Sequence, residues 1–168
     1  MNRIAAERAK KVALGPEPAA ATVARILAVD YGRKRVGLAL SDELGFTAQP
    51  LATLERSNRR DDLRRLRGIC RQHGVTRILV GHPLHMSGEA GEMAQEASRF
   101  AARLTKDLGI EVELADERLT TWEAEQTMAE TKSRRKRGQF DDVAAAVLLR
   151  EYLDRKRGMS HGVPAEKE

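Results

Sequence analysis

The sequence predicts an α/β fold on a mixed five-stranded sheet, three antiparallel strands followed by two parallel ones, with helices on both faces. Two observations carry this. Three strand-like runs follow one another across residues 26–54 with only short turns between them, and strands joined that way pair antiparallel. Beyond residue 60 the apolar period becomes helical, and helical segments alternate with further apolar runs, the pattern of parallel strands reached by crossovers.

The elements read in order as follows. Residues 26–30 form a continuous apolar run closed by Asp30, as expected of a central strand covered on both faces. Residues 31–34 make a turn, and 35–42 return as a hairpin partner. Residues 46–54 form a third strand, in which Pro50 demands a bulge or a sheet edge. Leu63, Leu66 and Cys70 keep helical spacing through 61–73. Residues 76–81 form the fourth strand. Met93, Ala97, Phe100, Leu104 and Leu108 share one face of a long helix, and 111–115 form the fifth strand. Thr120 and Glu123 make a capping box that should open another helix. A basic loop at 132–137 then leads to a last helix at 140–153. The expected organisation is a flexible basic extension at 1–24, one domain at 25–154 and a flexible tail at 155–168.

Composition bounds the function. The chain has 168 residues, 41% of them hydrophobic and 33% charged, enough for one folded domain. Its net charge of +5 suits a polyanionic partner. A single cysteine, Cys70, excludes an internal disulfide and any multi-cysteine metal site. Residues 1–14 lack the apolar stretch of a signal peptide, and no run approaches the length that spans a bilayer. A cytoplasmic location is expected, with no membrane partner.

Three acidic positions stand at element ends. Asp30 closes a buried strand, where a carboxylate is costly unless paired, hydrogen-bonded or holding a metal; capping the following turn is the plain alternative. Asp116 and Glu117 follow the fifth strand, where ligands of open α/β sheets gather, although a polar turn would look the same. Asp141 and Asp142 open the last helix, where the helix dipole alone favours acids. The apolar helix behind them must be buried, so at least one should face inward. Together they suit Mg²⁺ or Mn²⁺, and two such ions can drive an in-line displacement at phosphorus.

The segments ILAVDYGRKRVGLALSD, ILVGHPLHMSGE, ELADERLTTWEAE and FDDVAAAVLLREYL, in that order across about residues 25–154, resemble the YqgF family, also called RuvX, of bacterial RNase H-like proteins. The resemblance implies an RNase H-like fold and a metal-dependent endonuclease. Pre-16S rRNA 5′-end maturation is the leading role, and Holliday junction resolution the alternative. It maps the family's acidic positions to Asp30, Glu117 and Asp141, as metal ligands and catalytic residues. It departs after the fourth strand, where Gly81-His82-Pro83-Leu84-His85 replaces the usual GLPL-Asn pattern.

Around these positions, Arg33, Lys34, Arg35, Arg118 and the run Arg134, Arg135, Lys136, Arg137 are expected to meet phosphates, although a charge run is also what a solvated loop looks like. His82, His85 and Ser87 form a candidate substrate loop; Pro83 between the histidines argues against a metal pair. Trp122 is expected in the core rather than stacked on a base. Expected partners are structured RNA, branched DNA and ribosomal precursor particles, bound by a monomer or a homodimer. Asp30-Tyr31-Gly32 before a hairpin also resembles the phosphate loop of actin-like ATP sites, but those need two such domains, which this length does not supply. A non-catalytic RNA-binding factor is disfavoured because bare carboxylates repel phosphate.

Overall fold

The computed structural model describes residues 24–119 and 141–160, with isolated positions 126, 129 and 130. Its sheet has the order β3-β2-β1-β4-β5. Strands β1 (Arg25–Tyr31), β2 (Arg35–Ser41) and β3 (Ala48–Glu55) form an antiparallel meander, and β4 (Val75–His82) and β5 (Glu111–Asp116) extend it in parallel from β1. This is the expected RNase H-like topology. Both alternatives read for Pro50, a bulge or a sheet edge, are present. It lies in edge strand β3, and the β2–β3 register slips between Leu38 and Ala39, at the residue that faces Pro50.

Helix α1 (Arg59–His73) begins two residues before the expected start at 61. The Asn58 side chain accepts from the Asp61 amide at 3.0 Å and caps it. It ends at Gly74, whose positive φ of 64° is the left-handed turn that glycine adopts without strain. Helix α2 (Glu92–Leu108) connects β4 to β5. Helix α3 (Asp141–Ser160) runs past the expected end at 153, so residues 155–160, expected in a flexible tail, are helical. The reason is anchoring: Arg157 pairs with Asp154 one turn back, donates to the Phe46 carbonyl at 3.3 Å and lies over the Phe46 ring. Residues 1–23 and 161–168, the capping box at Thr120, Trp122 and the basic run at 132–137 lie outside the described residues.

Side-chain alternation splits the core across the sheet. Leu27, Val29, Val36, Leu38, Ile78 and Val80 face α1 and α2, meeting Leu66, Phe100 and Leu104. Ala28, Ala39, Leu79 and Ala115 face α3, meeting Ala145, Leu148, Leu149 and Tyr152. The second face is made mostly of small residues, so α3 lies close against the sheet. Tyr152 fixes its height, donating to Glu113 at 2.7 Å and accepting from Arg77 at 3.1 Å.

Candidate active site

Asp30 stands on the α3 face, two residues beyond Ala28. Its cross-strand partner on β2 is Gly37. On β4, Val29 is in register with Val80, so Gly81 follows beside Asp30. Asp30 is therefore flanked by glycine on both sides. A Cβ at Gly37 would overlap the Asp141 carbonyl, so the first turn of α3 rests directly on β2. A Cβ at Gly81 would overlap the Glu117 carboxylate, which reaches over β4 from the 3₁₀ turn Glu117–Leu119. The two glycines supply the clearance by which carboxylates from β5 and α3 approach the one on β1.

The electrostatics follow from this crowding. The Asp30 carboxyl is pushed up to about 7, first by burial, then by Glu117, then by Asp141, with no hydrogen-bond donor or cation opposing the rise among the described residues. Burial, followed by the charge of Asp116, also raises Glu117. Asp116 behaves oppositely: a hydrogen bond from Arg118 leads the effects that hold it below the usual carboxylate range. Arg118 grips it at 3.0 and 2.7 Å. Asp142 accepts from the amide of the next residue, Val143, at 2.9 Å, within the first turn of α3. Asp141 instead accepts from Arg35 Nε at 2.9 Å.

The donor set suits a hard divalent cation: carboxylate oxygens, partly buried, with excess negative charge around Asp30. The described residues hold no cluster of three His, Cys, Asp or Glu side chains gathered closely enough to be a ready-made cage. The charges of Glu117 and Asp141 both reach Asp30, while the guanidinium of Arg35 lies on Asp141.

The other expected contacts divide. Arg33 pairs with Glu92 at 3.1 Å and Glu96 at 2.8 Å on α2, so it spans two elements instead of standing free for phosphate. Lys34 is exposed on the β1–β2 turn. Arg118 extends towards Gly88, whose φ of 90° shapes the loop after β4. His82 Nε2 lies 3.1 Å from Ser98 Oγ, tying β4 to α2, while the His85 ring packs against Gly91. The Ser87 hydroxyl accepts from the Glu89 amide at 3.4 Å. Arg134, Arg135, Lys136 and Arg137 lie outside the described residues. The roles of Gly37 and Gly81 escape the sequence reading, although a glycine inside a strand is a known mark of close approach. So does that of Tyr31, which stacks with Phe100 and accepts from Arg56 at 2.9 Å, bracing the turn below Asp30. A cavity of about 290 Å³, lined by Arg67, Cys70, Val75 and Ile110, lies at the opposite end of β4.

The family model described as RuvX: Holliday junction resolvase matches residues 24–155. A protein of Syntrophus aciditrophicus (strain SB) is 44% identical over 132 residues, covering 77% of this chain and 88% of its own. One from Koribacter versatilis (strain Ellin345) is 43% identical over 141 residues, covering 83% and 92%. One from Geobacillus kaustophilus (strain HTA426) is 44% identical over 137 residues, covering 79% and 99%. All three carry the provisional name pre-16S rRNA nuclease. Among solved structures, RuvC of Thermus thermophilus in complex with a Holliday junction substrate is similar over 80% of this chain and 96% of that one, at 13% identity and a TM-score of 0.49.

Proposed function

The chain belongs to the RuvX family, and from that premise we propose that it is a divalent-metal-dependent endonuclease that hydrolyses phosphodiester bonds of structured RNA, in 5′-end maturation of pre-16S rRNA. The observation that carries the reading is Asp30: a partly buried carboxylate, crowded by Glu117 and Asp141, with no cation or hydrogen-bond donor of its own among the described residues. Burying such a group is costly, and a divalent ion offsets that cost where no side chain does.

In this reading Asp30, Glu117 and Asp141 hold Mg²⁺ or Mn²⁺, two ions in the full site. Bound there, the ions polarise the phosphodiester and lower the pKa of a water. Asp30 fixes the position, because it stands on the central strand and its backbone is paired to Gly37. Glu117 comes from a short turn and has more freedom to adjust. Asp141 is set by the seat of α3 on Gly37. Asp142 stays with the Val143 amide and outside the chemistry.

Lys34, Arg35, Arg118 and the run 134–137 bind the phosphate backbone, and the loop of His82, His85 and Ser87 borders the substrate path. Among the described residues no helix is long and apolar enough to cross a membrane, and the proposed place of work is the cytoplasm, on ribosomal precursor particles. The family description favours a second substrate, the Holliday junction. Incubating the purified protein with precursor 16S rRNA and with a four-way DNA junction, with and without Mn²⁺, tests both. Mn²⁺-dependent cleavage of the RNA at its 5′ side is expected. Cleavage of the junction alone would transfer the activity to DNA, and no cleavage of either would refute the reading.

A further inference from the structure

Arg35 hydrogen-bonds one of the proposed metal-ligating carboxylates directly, Nε to Asp141 Oδ2 at 2.9 Å. Its place is set by the strand. Arg35 and Gly37 are two residues apart on β2 and so share a face. Gly37 seats the Asp141 backbone, and Arg35 holds the Asp141 side chain. The pair is partly solvated, with side-chain exposures of 42% and 30%, so it can open without unpacking the core. A guanidinium on Asp141 and a divalent ion on the same carboxylate repel each other. A long, half-exposed arginine relieves that repulsion by moving a short way, and its planar fork matches the oxygens of a phosphodiester.

We propose that Arg35 is an exchangeable counter-ion: it holds Asp141 while the carboxylates lack a divalent ion, and it transfers to a substrate phosphate when the ion binds. This rests on the reading of Asp30, Glu117 and Asp141 as metal ligands and adds a regulation to it. Metal and nucleic acid then bind with positive coupling, because the ion releases the group that the phosphate needs.

The test uses the full chain and two binding readouts. Mn²⁺ affinity is measured by calorimetry for the wild type, Arg35→Gln, Arg35→Lys, Asp30→Asn and Asp141→Asn. Affinity for a nuclease-resistant hairpin (2′-O-methyl, phosphorothioate) is measured by fluorescence anisotropy in EDTA and in Mn²⁺. Arg35→Gln should bind Mn²⁺ up to about fivefold more tightly than the wild type, since a partly exposed ion pair that competes is gone. Arg35→Lys should return most of that gain, because the charge is restored. Mn²⁺ should strengthen hairpin binding less in Arg35→Gln than in the wild type. Unchanged or weaker Mn²⁺ binding in Arg35→Gln would make Arg35 a fixed support for Asp141 and overturn the exchange. Intact coupling in that variant would overturn the transfer to phosphate. Arg35→Met, which also removes the charge, bears the same comparison with wild type if the Gln variant fails to fold. Failure of the metal reading looks different: Asp30→Asn and Asp141→Asn would then bind Mn²⁺ as the wild type does.

Discussion

Replacing Asp30 by Asn should make the cation-free protein more stable at pH 8 while abolishing hydrolysis. The Asp30 carboxyl titrates at about 7 in the folded protein and at 3.8 in a free chain. The folded state therefore holds this proton more tightly than the unfolded state, and stability falls as pH rises from about 4 to 7. Above pH 7 the ionised carboxylate destabilises the fold by a ceiling of about 4 kcal/mol, set by that interval. A site that keeps some solvent realises less, and about 2 kcal/mol is expected. In a domain of this size that corresponds to roughly 4–8 °C in Tm. The assay is thermal unfolding of wild type and Asp30→Asn in EDTA at pH 5 and pH 8. The variant should melt higher at pH 8, and the difference should shrink by more than half at pH 5, where the folded carboxyl is already protonated. Millimolar Mg²⁺ should then raise the wild-type Tm and leave the variant nearly unmoved. A variant less stable than wild type at pH 8, or an equal difference at both pH values, would refute the claim that Asp30 is an uncompensated charge.

Other outcomes follow from the same geometry. Glu117→Gln and Asp141→Asn should each lose most hydrolysis with the fold retained, checked by cleavage rates beside circular dichroism. Asp142→Asn should cleave at a near-normal rate and lose about 0.3–1 kcal/mol in urea unfolding, because its carboxylate serves the helix start. Gly37→Ala meets backbone at Asp141 and should cost about 1–3 kcal/mol of stability. Gly81→Ala meets the end of the Glu117 side chain and not backbone, so its effect should fall on the cleavage rate more than on Tm. Neutralising Arg134, Arg135, Lys136 and Arg137 should lower the log–log salt slope of RNA binding by roughly 0.7–0.9 for each phosphate that these side chains neutralise in the wild type; an unchanged slope makes the run a solvated loop.

The sheet was legible because its signals are local. Apolar runs, short turns and helical crossovers determine pairing direction without knowledge of distant contacts, and Pro50 marked its own edge. The acidic positions could be singled out because each ends an element whose place in the sheet was already implied. Side-chain partnerships were not legible in the same way. Nothing around Arg33 in the sequence indicates that Glu92 and Glu96 lie within reach, since the crossover that brings α2 back is a tertiary fact. Arg118 is claimed by Asp116 two residues earlier, yet that pairing depends on the 3₁₀ turn that follows β5. The end of α3 is hidden for a related reason: a polar stretch reads as a tail until Phe46, on a turn more than a hundred residues earlier, is found beneath Arg157. Gly37 and Gly81 stand in plain view in the sequence, but clearance acquires meaning only once the approaching group is known.

That Asp30, Glu117 and Asp141 together hold the catalytic cation is the central claim, and anomalous diffraction from crystals soaked in Mn²⁺ tests it most directly. The expected result is an anomalous peak bounded by these three carboxylates, with oxygen ligands at about 2.0–2.2 Å, and loss of that peak in Asp30→Asn. A peak at His82 and His85, or none near Asp30 at saturating Mn²⁺, would contradict it.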